Sequence, residues 1–148
     1  MHRKKTKIFI FLSNNKMKAI SGKVVKALNS GSILNCADNS GAKKVQIISF
    51  KTYKGRKRRY PSGGVGDVVT CVVKKGDFKL RHKLQYGVII RQKKEYRRSN
   101  GMRICFEDNA LILVDKKITP LGSEIKGPMA KEVVERFLPL GKIASIVV

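Results

Sequence analysis

Residues 33–50 read ILNCADNSGAKKVQIISF. Two apolar runs, Ile33–Ala37 and Val45–Phe50, flank Asp38-Asn39-Ser40-Gly41. Those four residues favour a turn for separate reasons. Asp and Asn side chains accept hydrogen bonds from nearby backbone N–H groups, and Gly enters the left-handed region without steric cost. The segment therefore predicts strand, turn, strand. Asp38 is the only acid among the first 66 residues. A carboxylate repels phosphate, so its expected role is a local hydrogen bond. Working outward, Val68–Val73 (VVTCVV) is a β-branched run of the kind buried on both faces, entered from the turn Gly63-Gly64-Val65-Gly66-Asp67. A further strand starts at Val88–Ile90. Asn100-Gly101 is a hairpin signal followed by alternation at Met102, Ile104 and Phe106, and Ala110–Val114 is one more strand. About five short strands at this spacing predict an all-β fold, a small antiparallel barrel or sandwich.

Beyond the strands the period changes. Pro128 suits the first position of a helix, where its missing N–H costs nothing. Met129, Val133 and Phe137 recur every four residues, Glu132 and Arg136 pair favourably at i, i+4, and Pro139 ends the run. One helix over Pro128–Leu138 is expected, packed on the barrel. That leaves an apolar tail, and Phe137, Leu140, Ile143, Ile146 and Val148 are the candidate protein–protein surface. Residues 1–20 carry six bases and no acid. Ile8–Leu12 is shorter than the apolar region of a secretion signal, so this stretch reads as a cationic tail, with Met17 an alternative start. The expected organisation is a basic N-terminal extension over 1–29, a barrel with basic loops over 30–127, and a C-terminal helix with apolar tail over 128–148.

The chain has 148 residues and a formal net charge of +23. All of that excess lies in residues 1–106, which hold 27 bases and 4 acids; residues 107–148 hold 6 of each. Solubility needs a net charge of only about 2–8 in a small domain, so the excess points to a polyanionic partner. Tyr53, Tyr60, Tyr96 and Phe78 interleave with the bases, which suits phosphate contact with occasional base stacking. The candidate RNA-binding residues are Lys43, Lys44, Lys51, Lys54, Arg56, Lys57, Arg58 and Arg59, then Lys74, Lys75, Lys79, Arg81 and Lys83, then Arg91, Lys93, Lys94, Arg97, Arg98 and Arg103. Anionic membrane is disfavoured as the partner. No basic amphipathic helix or lipidation motif is present, and runs such as Ile8–Leu12 are far short of the ~20 residues of a span.

Chemistry-bearing patterns are sparse. Cys36, Cys71 and Cys105 are odd in number and widely spaced, against a disulfide framework or a zinc site; Cys71 and Cys105 read as small buried hydrophobes. His2 and His82 have no sequence-adjacent nucleophile or carboxylate. Glu107 and Asp108 are adjacent, so in a strand they face opposite ways. Gly63–Asp67 lacks the Gly-Lys-Ser/Thr of a nucleotide loop. No catalytic residue, metal or cofactor is expected. The competing reading is a small-barrel translation factor or RNA-acting enzyme.

Asn35-Cys36-Ala37-Asp38-Asn39-Ser40-Gly41-Ala42-Lys43 is one of several motifs that occur in a recognisable order. It is followed by Arg59-Tyr60 leading to Gly64-Val65-Gly66-Asp67, then Gly87-Val88-Ile89-Ile90-Arg91, then Arg97-Arg98 with Asn100-Gly101. Phe106-Glu107-Asp108-Asn109-Ala110 and Ile125-Lys126-Gly127-Pro128 complete the series. Together these resemble the universal large-subunit ribosomal protein family numbered fourteen, called twenty-three in older eukaryotic naming. The Phe106–Ala110 and Gly127–Glu132 stretches are similar to its eukaryotic and archaeal branch. The resemblance implies a five-stranded barrel with a projecting basic hairpin and a short C-terminal helix. It also implies a structural role in the large ribosomal subunit, in the cytoplasm, with large-subunit ribosomal RNA and neighbouring large-subunit proteins as partners. Small-subunit ribosomal RNA at an intersubunit bridge, reached by the loop Lys74–Lys83, and the anti-association initiation factor six at the C-terminal end are further implied partners.

Overall fold

The computed structural model describes residues 18–51, 53, 55 and 57–148. Residues 1–17 of the expected N-terminal extension, including Met17, and two of the candidate residues, Lys54 and Arg56, lie outside them, whereas residues 18–29 of that extension lie within them. Among the described residues the elements run β1 (Gly22–Lys23), β2 (Leu28–Asn29), β3 (Ile33–Cys36), β4 (Ala42–Phe50), β5 (Ser62–Gly63) and β6 (Val68–Gly76). Then follow β7 (Leu84–Arg91), β8 (Tyr96–Arg98), β9 (Arg103–Ile104), β10 (Ala110–Val114), β11 (Ile125–Met129), α1 (Lys131–Arg136), α2 (Leu138–Gly141) and β12 (Ala144–Val147).

Five strands close into a barrel in the order β10-β3-β4-β6-β7. Of the barrel or sandwich expected from the strand spacing, the barrel, which the family resemblance also implies, is therefore the one present. Its one departure from an antiparallel design is the closing seam, where Ala110 and Leu111 pair in parallel with Asn35 and Cys36. Parity requires this. Four antiparallel steps from β3 through β4, β6 and β7 to β10 return the fifth strand to the direction of the first.

Two apolar clusters explain the long β-branched runs. Leu34, Val45, Ile47, Val69, Cys71, Val73, Ile89, Leu111 and Leu113 belong to one, the barrel lumen. Ala110, Ile112, Val114, Val68, Val88 and Ile90 belong to the other, where they meet Ile125, Met129, Ala130, Val133, Phe137 and Leu140. Every residue of β10 is buried, because one face lines the lumen and the other lies under the C-terminal layer. In β6 that double burial holds only at its start; Thr70 and Val72 are half-buried.

The C-terminal layer differs from the single helix expected over Pro128–Leu138. Pro128 and Met129 are extended in β11, and helix begins at Lys131. Strand wins because partners from elsewhere hold it. The Lys126 N–H donates to the Ala37 carbonyl at 2.6 Å, and β12 returns alongside β11 in parallel. Pro139 occupies the first turn of α2 rather than simply stopping α1. Met129, Val133 and Phe137 are buried all the same, so the four-residue spacing located the core face correctly.

Candidate nucleic-acid interface

The basic residues sort by strand geometry. Across the β4–β6 ladder the register slips twice between Ala42 and Val45, and Lys44 pairs with Lys75. Regular alternation would bury one lysine of each pair; the bulges instead leave Lys43, Lys44, Lys74 and Lys75 all exposed at one end of the barrel. Glycine makes the tight approach possible. A Cβ at Gly76 would stand 2.6 Å from the Gly41 carbonyl oxygen, and one at Gly41 would overlap the Asp77 carboxylate. The 77–83 turn carries Lys79, Arg81 and Lys83, all exposed. Its backbone is closed by the Leu80 and Arg81 N–H groups donating to the Asp77 carbonyl.

Lys57, Arg58 and Arg59 are exposed in the loop after β4, next to Tyr60, which is 86% exposed. Phe78 is 90% exposed within the Lys74–Lys83 cluster. Tyr53 donates its hydroxyl to the Arg59 carbonyl at 2.8 Å, and Lys51 sits 4.7 Å from the centre of the Tyr86 ring. These two contacts shape the loop entry. Lys93, Lys94 and Arg97 are exposed, as is Arg103, which bonds Glu95 at 2.7 Å.

Two candidate residues are internal, contrary to the RNA-binding role expected of them. Arg91 is buried at the end of β7. Its Nε and second guanidinium nitrogen donate to the Asp108 carboxylate at 2.7 and 3.2 Å, and its remaining nitrogen donates to the Lys126 and Pro128 carbonyls at 3.1 and 2.8 Å. Gly127, at φ +78, passes against this guanidinium. Arg91 therefore ties β7, the loop before β10 and β11 together, and holds Pro128 in its strand. The Arg91 hydrogen bonds also keep the Asp108 carboxyl below its ordinary range against the opposing effect of burial.

Arg98 is the second. In β8, Tyr96 and Arg98 face inward while Arg97 between them faces solvent. Arg98 grips Glu132 of α1 at 2.5 and 3.1 Å and donates to the Val148 carbonyl at 2.7 Å; Tyr96 donates its hydroxyl to Glu132 at 2.8 Å. Burial alone would raise the Glu132 pKa, but hydrogen bonds from Arg98, the backbone and Tyr96 outweigh it and leave it lowered. Conversely, burial followed by the Glu132 contact pushes the Tyr96 phenol up.

The candidate protein surface is also divided. Phe137 and Leu140 are core residues, 4% and 0% exposed, so they cannot meet a partner. They are consumed because α1 and α2 lie across the outer face of β10 and β7. Ile143 is half-buried, while Ile146 and Val148 are exposed, together with Leu138 and Val147.

Asp38 has the structural role expected of it. One carboxylate oxygen accepts from the Leu113 N–H at 2.7 Å and the other from the Ser40 N–H and hydroxyl at 3.2 and 2.5 Å. Neighbouring Asn39 accepts from the Ser123 N–H at 2.9 Å and donates to the Ser123 hydroxyl at 2.8 Å. The turn thus fastens the barrel to the segment leading into β11. Cys71 is buried, and desolvation with the nearby Asp38 charge pushes its thiol up to about 12. Cys105, expected to be buried, is exposed in the loop after β9.

Lys23 is a basic surface residue that cluster reading passed over. It pairs across β1–β8 with Arg97, and an isolated lysine before Val24 carries no local signal of that placement. Among the described residues no group of three or more His, Cys, Asp or Glu side chains is arranged to hold a metal.

Comparison with known proteins adds the family. A sequence profile described as "Ribosomal protein L14p/L23e" matches residues 14–148. The chain is 53% identical over 132 residues to the large ribosomal subunit protein uL14 of Methanoregula boonei, covering 89% of this chain and 100% of that protein. It is 50% identical over 129 residues to the protein of the same name from Methanothrix thermoacetophila, covering 87% and 96% respectively.

Proposed function

The chain belongs to the L14p/L23e family of ribosomal proteins, and on that premise we propose that it binds large-subunit ribosomal RNA through its basic loops. Its role is that of a structural constituent of the large subunit, in the cytoplasm, rather than an enzyme. The observation that carries the RNA reading is the division of the bases by exposure. Lys43, Lys44, Lys74, Lys75, Lys79, Arg81, Lys83 and Lys57–Arg59 all reach solvent, whereas the bases that the fold itself needs, Arg91 and Arg98, are paired inside. Lysines and arginines without a shared base-reading geometry recognise RNA by backbone and shape.

In this reading the loop Lys74–Lys83 reaches small-subunit RNA at the subunit interface. The exposed Leu138, Ile146, Val147 and Val148 meet a neighbouring large-subunit protein or the anti-association initiation factor six. Salt titration of binding to a large-subunit RNA fragment tests the main claim. Replacing Lys57, Arg58 and Arg59 by Ala should flatten the slope of log K against log salt by roughly 0.7–0.9 for each phosphate that the loop no longer neutralises. An unchanged slope refutes phosphate binding by this loop.

A further inference from the structure

The three-stranded sheet β1-β8-β9 lies outside the barrel. Lys23 is the direct cross-strand partner of Arg97, and Arg97 that of Arg103. Direct partners share a face, and all three side chains are exposed. They form one cationic rung running across three strands, spaced by about 4.8 Å per strand. Like charges directly opposite destabilise a sheet. At the β9 end Glu95 offsets Arg103, but the ion pairs among the described residues provide no such partner for Lys23 or Arg97. β1 has only two residues, Gly22 and Lys23, and both are exposed. The pairing of β1 with the hairpin is therefore short and opposed by its own charge.

We propose that Lys23, Arg97 and Arg103 bind successive phosphates of an RNA strand, and that this polyanion holds β1 against the β8–β9 hairpin. The inference rests on the RNA reading above and adds a subsite with Lys23 as its new member. It also makes sheet formation at this edge depend on the ligand. The solvent face of the sheet carries the rung, while the opposite face of β8 carries Tyr96 and Arg98, which the fold consumes. A phosphate backbone laid across the rung neutralises what now pushes β1 away.

The test uses the full chain, with amide hydrogen exchange at residues 21–24 and 96–98 as one readout and the salt slope of RNA binding as the other. Lys23→Glu turns the repulsive pair with Arg97 into an attractive one. In the free protein at low salt it should raise protection of the β1 amides by about two- to five-fold, a gain that vanishes near 1 M salt. The same variant should flatten the RNA salt slope by roughly 0.7–0.9 or more. An RNA duplex should raise β1 protection in the parent protein and not in Lys23→Glu.

Inorganic tripolyphosphate serves as a second probe. Protection by it and not by RNA would overturn the assignment to an RNA strand. Unchanged β1 protection in Lys23→Glu, or an unchanged slope in that variant while the Lys57/Arg58/Arg59 variant shows the expected loss, overturns the rung. If neither variant alters the slope, it is the RNA reading that fails. The tripolyphosphate arm then still reports whether the rung binds phosphate.

Discussion

Replacing Glu132 by Ala removes the partner that Tyr96 and Arg98 share inside the structure. Tyr96 is 2% exposed, and the Arg98 and Glu132 side chains are 13% and 6% exposed. Breaking a buried pair by deleting one member costs about 3–5 kcal/mol. An orphaned buried hydroxyl costs about 1–3 kcal/mol more, and the two losses overlap because the groups form one network. Arg98 keeps its bond to the Val148 carbonyl and lies near the surface, so the lower end, about 3 kcal/mol, is expected. That corresponds to a fall in Tm of about 6–12 °C for a domain of this size. Denaturant and thermal unfolding read it directly. Lys131→Ala is the control, since its pair with Glu135 at 3.5 Å is exposed and worth less than about 0.5 kcal/mol. An Arg98→Met/Glu132→Met double variant should recover the share of the loss due to the unpaired guanidinium, because paired apolar groups replace buried ions at little cost, while the Tyr96 hydroxyl stays without its acceptor. The pH dependence has a definite sign. The folded pKa of Glu132 lies below its ordinary 4.5. Its contribution is therefore fully present above pH 4.5 and disappears as pH falls through the folded value. A Glu132→Ala protein within about 1 kcal/mol of the parent would refute the network, given the cost assigned to a buried unpaired guanidinium. So would a double variant as unstable as the single one.

Other outcomes follow from the same geometry. Asp108→Asn should cost about 1–3 kcal/mol by weakening its hold on Arg91, and the parent's loss of stability on acidification below pH 3.8 should shrink in this variant, as measured by urea midpoints against pH. Gly41→Ala, at φ +92 and against the Asp77 carboxylate, should displace the 77–83 turn; amide shifts confined to residues 74–83 and 41–44 are expected, and an unperturbed spectrum would contradict the close approach. Asp38→Ala should destabilise by about 1–3 kcal/mol through the orphaned Leu113 N–H. Of the three thiols, Cys105 should react with a maleimide in the native protein at pH 7 while Cys71 should react only on unfolding; comparable rates would place Cys71 outside the core.

The barrel was legible because most of its strands are short apolar runs bounded by turn residues. Ile33–Ala37, Val45–Phe50, Val68–Val73 and Ala110–Val114 announce strands within a few residues, the Asp38–Gly41 turn announces the first reversal of the barrel, and Asn100-Gly101 announces the β8–β9 hairpin beside it. The C-terminal layer was less so, because what decides it is remote. Pro128 suits a helix start by local rules. It is extended because Arg91, far back in the chain, holds the carbonyls of Lys126 and Pro128, and because Ala144–Val147 supplies a partner strand. The site failed in the same manner. Arg97 and Arg98 are equivalent in a basic cluster and opposite once β8 is paired, since alternation sends one to solvent and the other to Glu132. Lys23 enters the basic surface only through a register that its own neighbours do not encode.

In a chain with 33 bases and 10 acids, the bases reveal the class of ligand but not which of them meet it. The acids are the better guide. Asp108 withdraws Arg91, Glu132 withdraws Arg98, and Asp67 approaches Arg136 at 3.6 Å. All three withdrawn bases are arginines, and Arg91 and Arg98 show why: a planar, forked donor satisfies a carboxylate and backbone carbonyls at once. Lysine, a hydrated point charge on a flexible stem, is left on the surface, where phosphates bind without a fixed geometry. Arginine next to a distant acid builds the fold, whereas the lysines of the bulged β4–β6 end and the exposed arginines Arg58, Arg59, Arg81 and Arg97 remain for RNA. Arg97 is the instructive case, because alternation across β8 turns it away from the acid its neighbour uses and onto the open face beside Lys23.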